Sequence, residues 1–346
     1  MFNSRRDFLK KSSYLSTFLL LGGFREDSQP AKILAPLNPT SLHSFTLQLD
    51  WKYNVQFAGA LLADYYQIYQ KEGLEIKIEP WDFSVDVLDV VVENSTILGC
   101  AEQDVILAAQ AAGKPIKAIA TMFQTSPLGL MSMPSNNITS LHDLVGRKVG
   151  IHGDTQKVMD LVMGYSQLPP NEIEVIDISY DEKYDQLLTG EIDAIQCYLV
   201  DEPIGFAYQT GIEPTVIRLS DYGYDAYVQT IFAHSSLLET QREQVQAFLK
   251  ATFQGWKIAL ENIPQAAQIV VENYVNPKSK YNNLDYQTQS LKLIANYITS
   301  GKSLDQPLGL ISPERWQSMT QRFVQYNIIK TAPNLSDSID LSLWSV

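Results

Sequence analysis

Apolar and polar residues alternate from Phe45 to Trp51, the period-two pattern of a strand with one buried face. From Ala58 to Glu72 the spacing changes. Leu61, Leu62, Tyr65, Tyr66, Ile68 and Tyr69 recur at helical intervals, and Lys71-Glu72-Gly73 is a helix stop. Leu74–Glu79 then reads as a strand, Val85 to Glu93 as a helix and Ile97–Ala101 as a short buried strand. Strand and helix in alternation predict a parallel sheet covered by helices. Further strands are expected at Ile116–Phe123, Gly129 to Met133, Lys148–Ile151, Glu174 to Ser179, Ala194–Tyr198 and Tyr227 to His234, with helices at Val158 to Gln167 and Tyr184 to Thr189. From Glu239 onward the pattern is almost wholly helical, in four segments: Glu239 to Glu261, Pro264 to Tyr274, Asp285 to Thr299 and Pro313 to Tyr326.

Two stretches have the same grammar. Thr96 to Gly113 and Gly146 to Asp160 each run from a buried strand through a tight polar turn into a helix. Free backbone N–H groups converge at such corners, which is where α/β proteins hold ligands. Two corners in two halves of one chain predict two lobes facing each other across a cleft.

A length of 346 residues suits two α/β domains. A net charge of −13 argues against a nucleic-acid partner, which requires a basic face. Cys100 and Cys197 both lie in apolar surroundings and read as buried, inert thiols, with a disulfide or a catalytic thiol as the alternatives. None of the four histidines pairs with another at a metal-ligand spacing, and neither a metal nor a cofactor is expected. His152, next to Gly153, reads as a turn residue.

Ser4-Arg5-Arg6-Asp7-Phe8-Leu9-Lys10 matches the twin-arginine export motif. The apolar run from Leu15 to Gly23 is shorter than the about 20 residues of a membrane span. A twin-arginine signal is therefore expected, either cleaved before about Phe45 or kept as an N-terminal anchor. Residues 24–44, rich in Pro, Ser and Asn, read as a linker.

Five segments carry a family resemblance: Leu47 to Trp51, Tyr69 to Leu74, Ala112-Gly113-Lys114-Pro115, Ser140 to Gly150 and Gly190 to Ala194. Together they resemble a type II periplasmic solute-binding protein. More narrowly, they resemble the group that includes thiamine-pyrimidine synthases and ABC-transporter receptors for pyrimidines, sulfonates and nitrate. The resemblance implies two lobes, each a mostly parallel sheet flanked by helices, with the ligand cleft between them. Residues 1–44 would be signal and linker, 45–134 plus 233–346 lobe one, and 135–232 lobe two, hinged near Met131 to Ser135 and Thr230 to His234. It also implies a monomeric extracytoplasmic receptor that hands a small molecule to an ABC permease. The enzymes of that group carry a lysine, a histidine and a cysteine cluster. The matching positions here hold Ala101, Val105 and the stretch Tyr224 to Val228, and no amine or thiolate stands in their place.

Candidate ligand contacts sit at the corners: Asp50, Trp51 and Asn54; Glu102, Gln103 and Asp104; Asp154 and Thr155; Tyr198, Asp201 and Glu202; and Tyr224 with Tyr227. Carboxylates repel anions and attract amino donors, and aromatic faces stack on flat rings. The pattern predicts a donor-rich aromatic ligand such as an aminopyrimidine. Alternative roles are open at each place. Glu102, Asp104 and Asp154 are also suited to capping helices, Trp51 and Tyr198 to core packing, and Tyr224 and Tyr227 to a turn at the hinge. Lys52, Arg147 and Lys157 are the cations that would favour an anion if they faced the cleft.

Overall fold

Ten strands are found among the described residues of the computed structural model, 42–169, 172–179, 183–301 and 306–344. They are β1 His43–Gln48, β2 Leu74–Glu79, β3 Ile97–Ala101, β4 Ile116–Phe123, β5 Leu128–Ser132, β6 Lys148–Ile151, β7 Glu174–Asp177, β8 Ala194–Tyr198, β9 Thr215–Arg218 and β10 Val228–His234. The export motif and most of the linker lie outside the described residues. Among the described residues no helix is long and apolar enough to cross a membrane.

The strands form two five-stranded sheets of the same plan, ordered β2-β1-β3-β10-β4 and β7-β6-β8-β5-β9. In the first, β1 pairs in parallel with β2 and β3, and β10 is antiparallel to both β3 and β4. In the second, β6 is parallel to β7 and β8, and β5 is antiparallel to β8 and β9. In each sheet four strands thus run one way and one runs against them. The reversed strands, β5 and β10, are the first that the chain forms after each passage from one sheet to the other.

The passages lie at 124–127 and 219–227, earlier than expected from the sequence. The strand at Leu128–Ser132, expected to belong with the first lobe, pairs with Ala194–Tyr198 in the second sheet. Most of Val228–His234, expected in the second lobe, completes the first sheet. An apolar run reports that a strand is buried but not which strands flank it. Helix Glu202–Thr210 and strand β9 were not anticipated. The helix is a nine-residue segment interrupted by Gly205, and β9 buries one of its four residues, so neither carries a strong periodic signal.

Helix Arg242–Glu261 packs on helix Ala58–Tyr65 by backbone approach. A Cβ placed on Gly255 would stand 2.0 Å from the carbonyl oxygen of Gly59, and one on Gly59 would overlap the Trp256 ring. Trp256 is fully buried in that contact. Helix Pro313–Gln325 has a different role. Its Trp316, Met319 and Phe323 share one core with Ile106 and Leu107, which follow β3, and with Leu161 and Val162, which follow β6. It therefore joins elements of both sheets instead of covering only one. Overpacking at a tight contact costs about 1–3 kcal/mol. Gly255→Ala is accordingly expected to lower the unfolding free energy from urea titration by that order, and Gly255→Val to lower it further.

Candidate functional site

A cavity of about 380 Å³ opens where the carboxyl ends of strands from both sheets converge. The turn after β1 supplies Asp50, Trp51 and Gln56; that after β3 supplies Glu102 and Asp104. The second sheet contributes His152 and Thr155 after β6, and Tyr198, Asp201 and Glu202 around the end of β8. The two passages add Ser126 and Tyr224, and β10 adds Gln229. Backbone topology thus gathers residues far apart in sequence, as expected at the strand ends of open α/β sheets.

Six carboxylates line this space, Asp50, Asp86, Glu102, Asp104, Asp201 and Glu202, and one lysine, Lys183. Glu102 occupies the N-cap position of helix Gln103–Ala111 without a side-chain cap bond. Instead its Oε1 accepts from the Tyr198 hydroxyl at 2.5 Å, bridging the two sheets. The Tyr224 hydroxyl donates to Asp104 at 3.1 Å. Glu202 meets Lys183 Nζ at 2.6 Å and accepts from the backbone N–H of Tyr198 at 2.6 Å. Burial pushes its carboxyl upward, but Lys183, Lys280 and the hydrogen bonds outweigh this and hold it at about 2.

Asp201 is buried and held from the first-sheet side. Tyr281 donates to it at 2.8 Å, Tyr286 makes a very short bond, and Lys280 Nζ lies 3.5 Å away. Trp51 Nε1 donates in turn to the Tyr281 hydroxyl at 2.7 Å, so the cavity wall and the Asp201 cluster form one hydrogen-bonded chain. Asp50 is the exception to this pairing. Its Oδ1 is shielded from solvent and has no hydrogen-bond partner. Burial, and then the Glu102 charge, push its carboxyl well above the ordinary value of 3.8.

The aromatic wall is Trp51 stacked on Trp81, with ring centres 5.3 Å apart and planes 14° from parallel. Phe83 packs edge-on against Trp81, and Lys52 lies over both Trp51 and Phe83. Lys52 therefore covers the outside of the wall; Arg147 pairs with Asp193, and Lys157 reaches the Ile328 carbonyl. None of the three lines the cavity. Cys100 and Cys197 do line it, as free buried thiols that burial pushes upward.

Three of the expected contacts are spent elsewhere. Asn54 accepts from the N–H of Gln56 at 2.6 Å and caps the short turn there. Gln103 bonds the Trp316 carbonyl and the Tyr227 N–H. Tyr227 stacks on Trp316, and its hydroxyl accepts from the N–H of Ser312 at 3.0 Å. Asn54 serves its own turn, while Gln103 and Tyr227 satisfy backbone groups where distant chain segments meet, a need that a linear reading does not reveal. The Asp154 side chain lies outside the described residues, while its neighbour Thr155 is buried against the cavity.

Sequence reading passed over Gln56, Trp81, Lys183, Gln196 and Gln229. For two of them a signal was present. Gln196 in AIQCY and Gln229 in VQTIF are neutral polar residues inside apolar strands, where an amide must have a purpose. Gln196 Oε1 accepts from the N–H of His152, whose Nδ1 lies 3.0 Å from the Ile178 carbonyl. His152 is thus a buried wall residue and not merely part of a turn.

Residues 54–267 match the family model described as NMT1/THI5 like, and the chain belongs to that family. Over 239 residues it is 27% identical to 4-amino-5-hydroxymethyl-2-methylpyrimidine phosphate synthase of Legionella pneumophila, covering 66% of this chain and 72% of that protein. Over 310 residues it is 21% identical to the riboflavin-binding protein RibY of Chloroflexus aurantiacus, covering 88% and 86%. In fold it is similar to the periplasmic aliphatic sulphonate binding protein SsuA from Escherichia coli, with a TM-score of 0.65 at 14% identity over 86% of this chain and 98% of that one. The fold is that of the periplasmic binding proteins, two mixed sheets with helices.

The isolated position of Asp50 has a measurable consequence. A raised carboxyl costs stability only where the unfolded chain ionises, so the cost is absent below about 3.8 and grows as pH rises above it. Asp50→Asn is therefore expected to raise the melting temperature at about pH 7, with the gain vanishing near about pH 3. Melting curves of both chains across this range test the point; a gain independent of pH would contradict it.

Proposed function

We propose that this chain is the solute-binding component of an ABC importer, working outside the cytoplasm. Its cavity takes a small, flat ring carrying amino donors, of the aminopyrimidine kind. The observation that carries this reading is the acid-rich cavity beside a tryptophan wall, with one carboxylate oxygen, Asp50 Oδ1, left without a donor. An anion there would face six carboxylates, and the single lysine is already neutralised by Glu202. A ring with N–H donors would instead satisfy Asp50 and Glu102 and stack on Trp51. Binding between two sheets joined by two passages suits closure about the segments 124–127 and 219–227. In this reading the lobes follow the sheets, and residues 1–44, signal and linker, direct export by the twin-arginine route. The receptor is a monomer whose partner is a membrane permease.

A synthase on the same scaffold is the second reading, favoured by the likeness to the Legionella pyrimidine phosphate synthase. Against it, Ala101 and Val105 both face the cavity where the resemblance would place a lysine and a histidine. Lys183, the one lysine of the wall, is held in an ion pair. A receptor returns its ligand unchanged, so recovery and mass analysis of bound ligand separates the two readings.

Thermal unfolding with aminopyrimidines, riboflavin, thiamine, sulfonates and nitrate tests the ligand class. A ligand at about 100 times its Kd stabilises by about 2.7 kcal/mol. Stabilisation by an aminopyrimidine is the expected result, and a response to sulfonate or nitrate alone would overturn the charge argument. Glu102→Gln is expected to weaken binding about 10- to 100-fold, the range for losing a hydrogen bond to a charged group. Trp51→Ala should also weaken it, while calorimetric binding of the ligand at unchanged affinity in both variants would remove this cavity as the site.

A further inference from the structure

Gln229 differs from the other polar residues of the cavity wall in its backbone, and its hydrogen bonding is incomplete. It is the second residue of β10 and only 2% exposed. Its φ is 49°, in the left-handed region that a residue with a side chain seldom occupies. Its neighbours stay in the ladder, with Val228 opposite Phe123 and Thr230 opposite Thr121, and the register shifts by one residue further on, between Ile231 and Phe232. Strained residues of this kind persist where the surroundings force them, and they gather at ligand sites.

The carboxamide is half satisfied. Its Nε2 donates to Gln56 Oε1 at 3.0 Å, and its own Oε1 has no hydrogen-bond partner. Gln56 lies on the short turn that Asn54 caps by accepting from its backbone N–H at 2.6 Å, which fixes the main chain from which its side chain reaches Gln229. Gln56 thus sets the orientation of the Gln229 amide and leaves an acceptor free. Asp50 Oδ1 is a second acceptor without a partner, and both residues line the same cavity. Two buried acceptors lacking donors are unfavourable in the empty protein and favourable once a donor arrives.

We propose that Gln229 determines ligand specificity: its Oε1, oriented by Gln56, accepts an N–H from an amino group on the ligand ring and so selects amino-substituted rings over their oxo counterparts. This rests on reading the cavity as the ligand site. A ring carbonyl at that position would oppose one acceptor with another and leave both desolvated and unpaired. An amino group supplies the missing hydrogen.

Calorimetric titration of the full chain with 4-amino-5-hydroxymethyl-2-methylpyrimidine and with its 4-oxo analogue tests this. The unsubstituted protein is expected to bind the amino compound at least about tenfold more tightly. Gln229→Met should weaken the amino compound by about tenfold and bring the two within about threefold of each other. Gln56→Met should narrow the gap from the other side, because the released amide can turn its NH2 toward the ring and admit the oxo compound. Urea midpoints verify that each variant folds, and Gln56→Met alone suffices should Gln229→Met fail to fold. An unchanged amino-to-oxo ratio in the folded variants overturns the role of Gln229 and leaves the receptor intact. A preference for the oxo compound by the unsubstituted protein does the same. Binding of neither compound overturns the aminopyrimidine reading and this inference with it.

Discussion

Charge that is removed from water has to be compensated, and that constraint organises the centre of this molecule. Six carboxylates border one cavity, and most of them have been given a donor of their own. Tyr198 serves Glu102, Tyr224 serves Asp104, Tyr281 and Tyr286 serve Asp201, and Lys183 serves Glu202. Three of these pairings bring together elements of different sheets or passages, so neutralising the acids also ties the halves of the molecule together. The acid at the end of the first strand is treated differently. Asp50 has a shielded oxygen with no donor, beside a carboxylate that raises the cost of its ionisation.

The topology explains how such a set can be assembled. Two sheets of the same order present the carboxyl ends of their central strands to one space, and each receives a reversed strand from the other half. The cavity wall is therefore composed of two kinds of residue. Some sit on turns after parallel strands, such as Glu102 and Thr155. Others come from the passages and the reversed strands, such as Ser126, Tyr224 and Gln229. Residues of the second kind lie where movement of one sheet relative to the other would be felt. The Gln229 amide, on a backbone with φ of 49°, sits at that place.

Much of this was legible beforehand because the signals are local. The alternation at Phe45 to Trp51 and the apolar runs at Ile97–Ala101, Ile116–Phe123, Lys148–Ile151 and Ala194–Tyr198 mark strands irrespective of what they pair with. The long helices after β10 follow from their periodicity in the same way. Corner residues such as Trp51, Glu102, Asp104, Tyr198 and Asp201 could be nominated because a strand end is a known place for ligand chemistry. Asn54, Gln103 and Tyr227 sit at the same corners and were equally eligible. The Asn54 side chain closes a local turn, whereas Gln103 and Tyr227 turn to the distant segment around Ser312 and Trp316, a direction that only the packed chain decides.

Element types, the acidic balance and the corners at which ligand chemistry could gather are local properties, because propensity, charge and strand-to-helix punctuation act over a few residues. Which strand crosses into which sheet, which acids acquire donors and which amide is left with an open acceptor are properties of the packed chain. Those outcomes depend on which distant groups meet. Pairing of Leu128–Ser132 with Ala194–Tyr198, of Tyr281 with Asp201 and of Gln56 with Gln229 has no local signature. Each is settled when burial forces polar groups to find partners among whatever the packed chain has placed beside them.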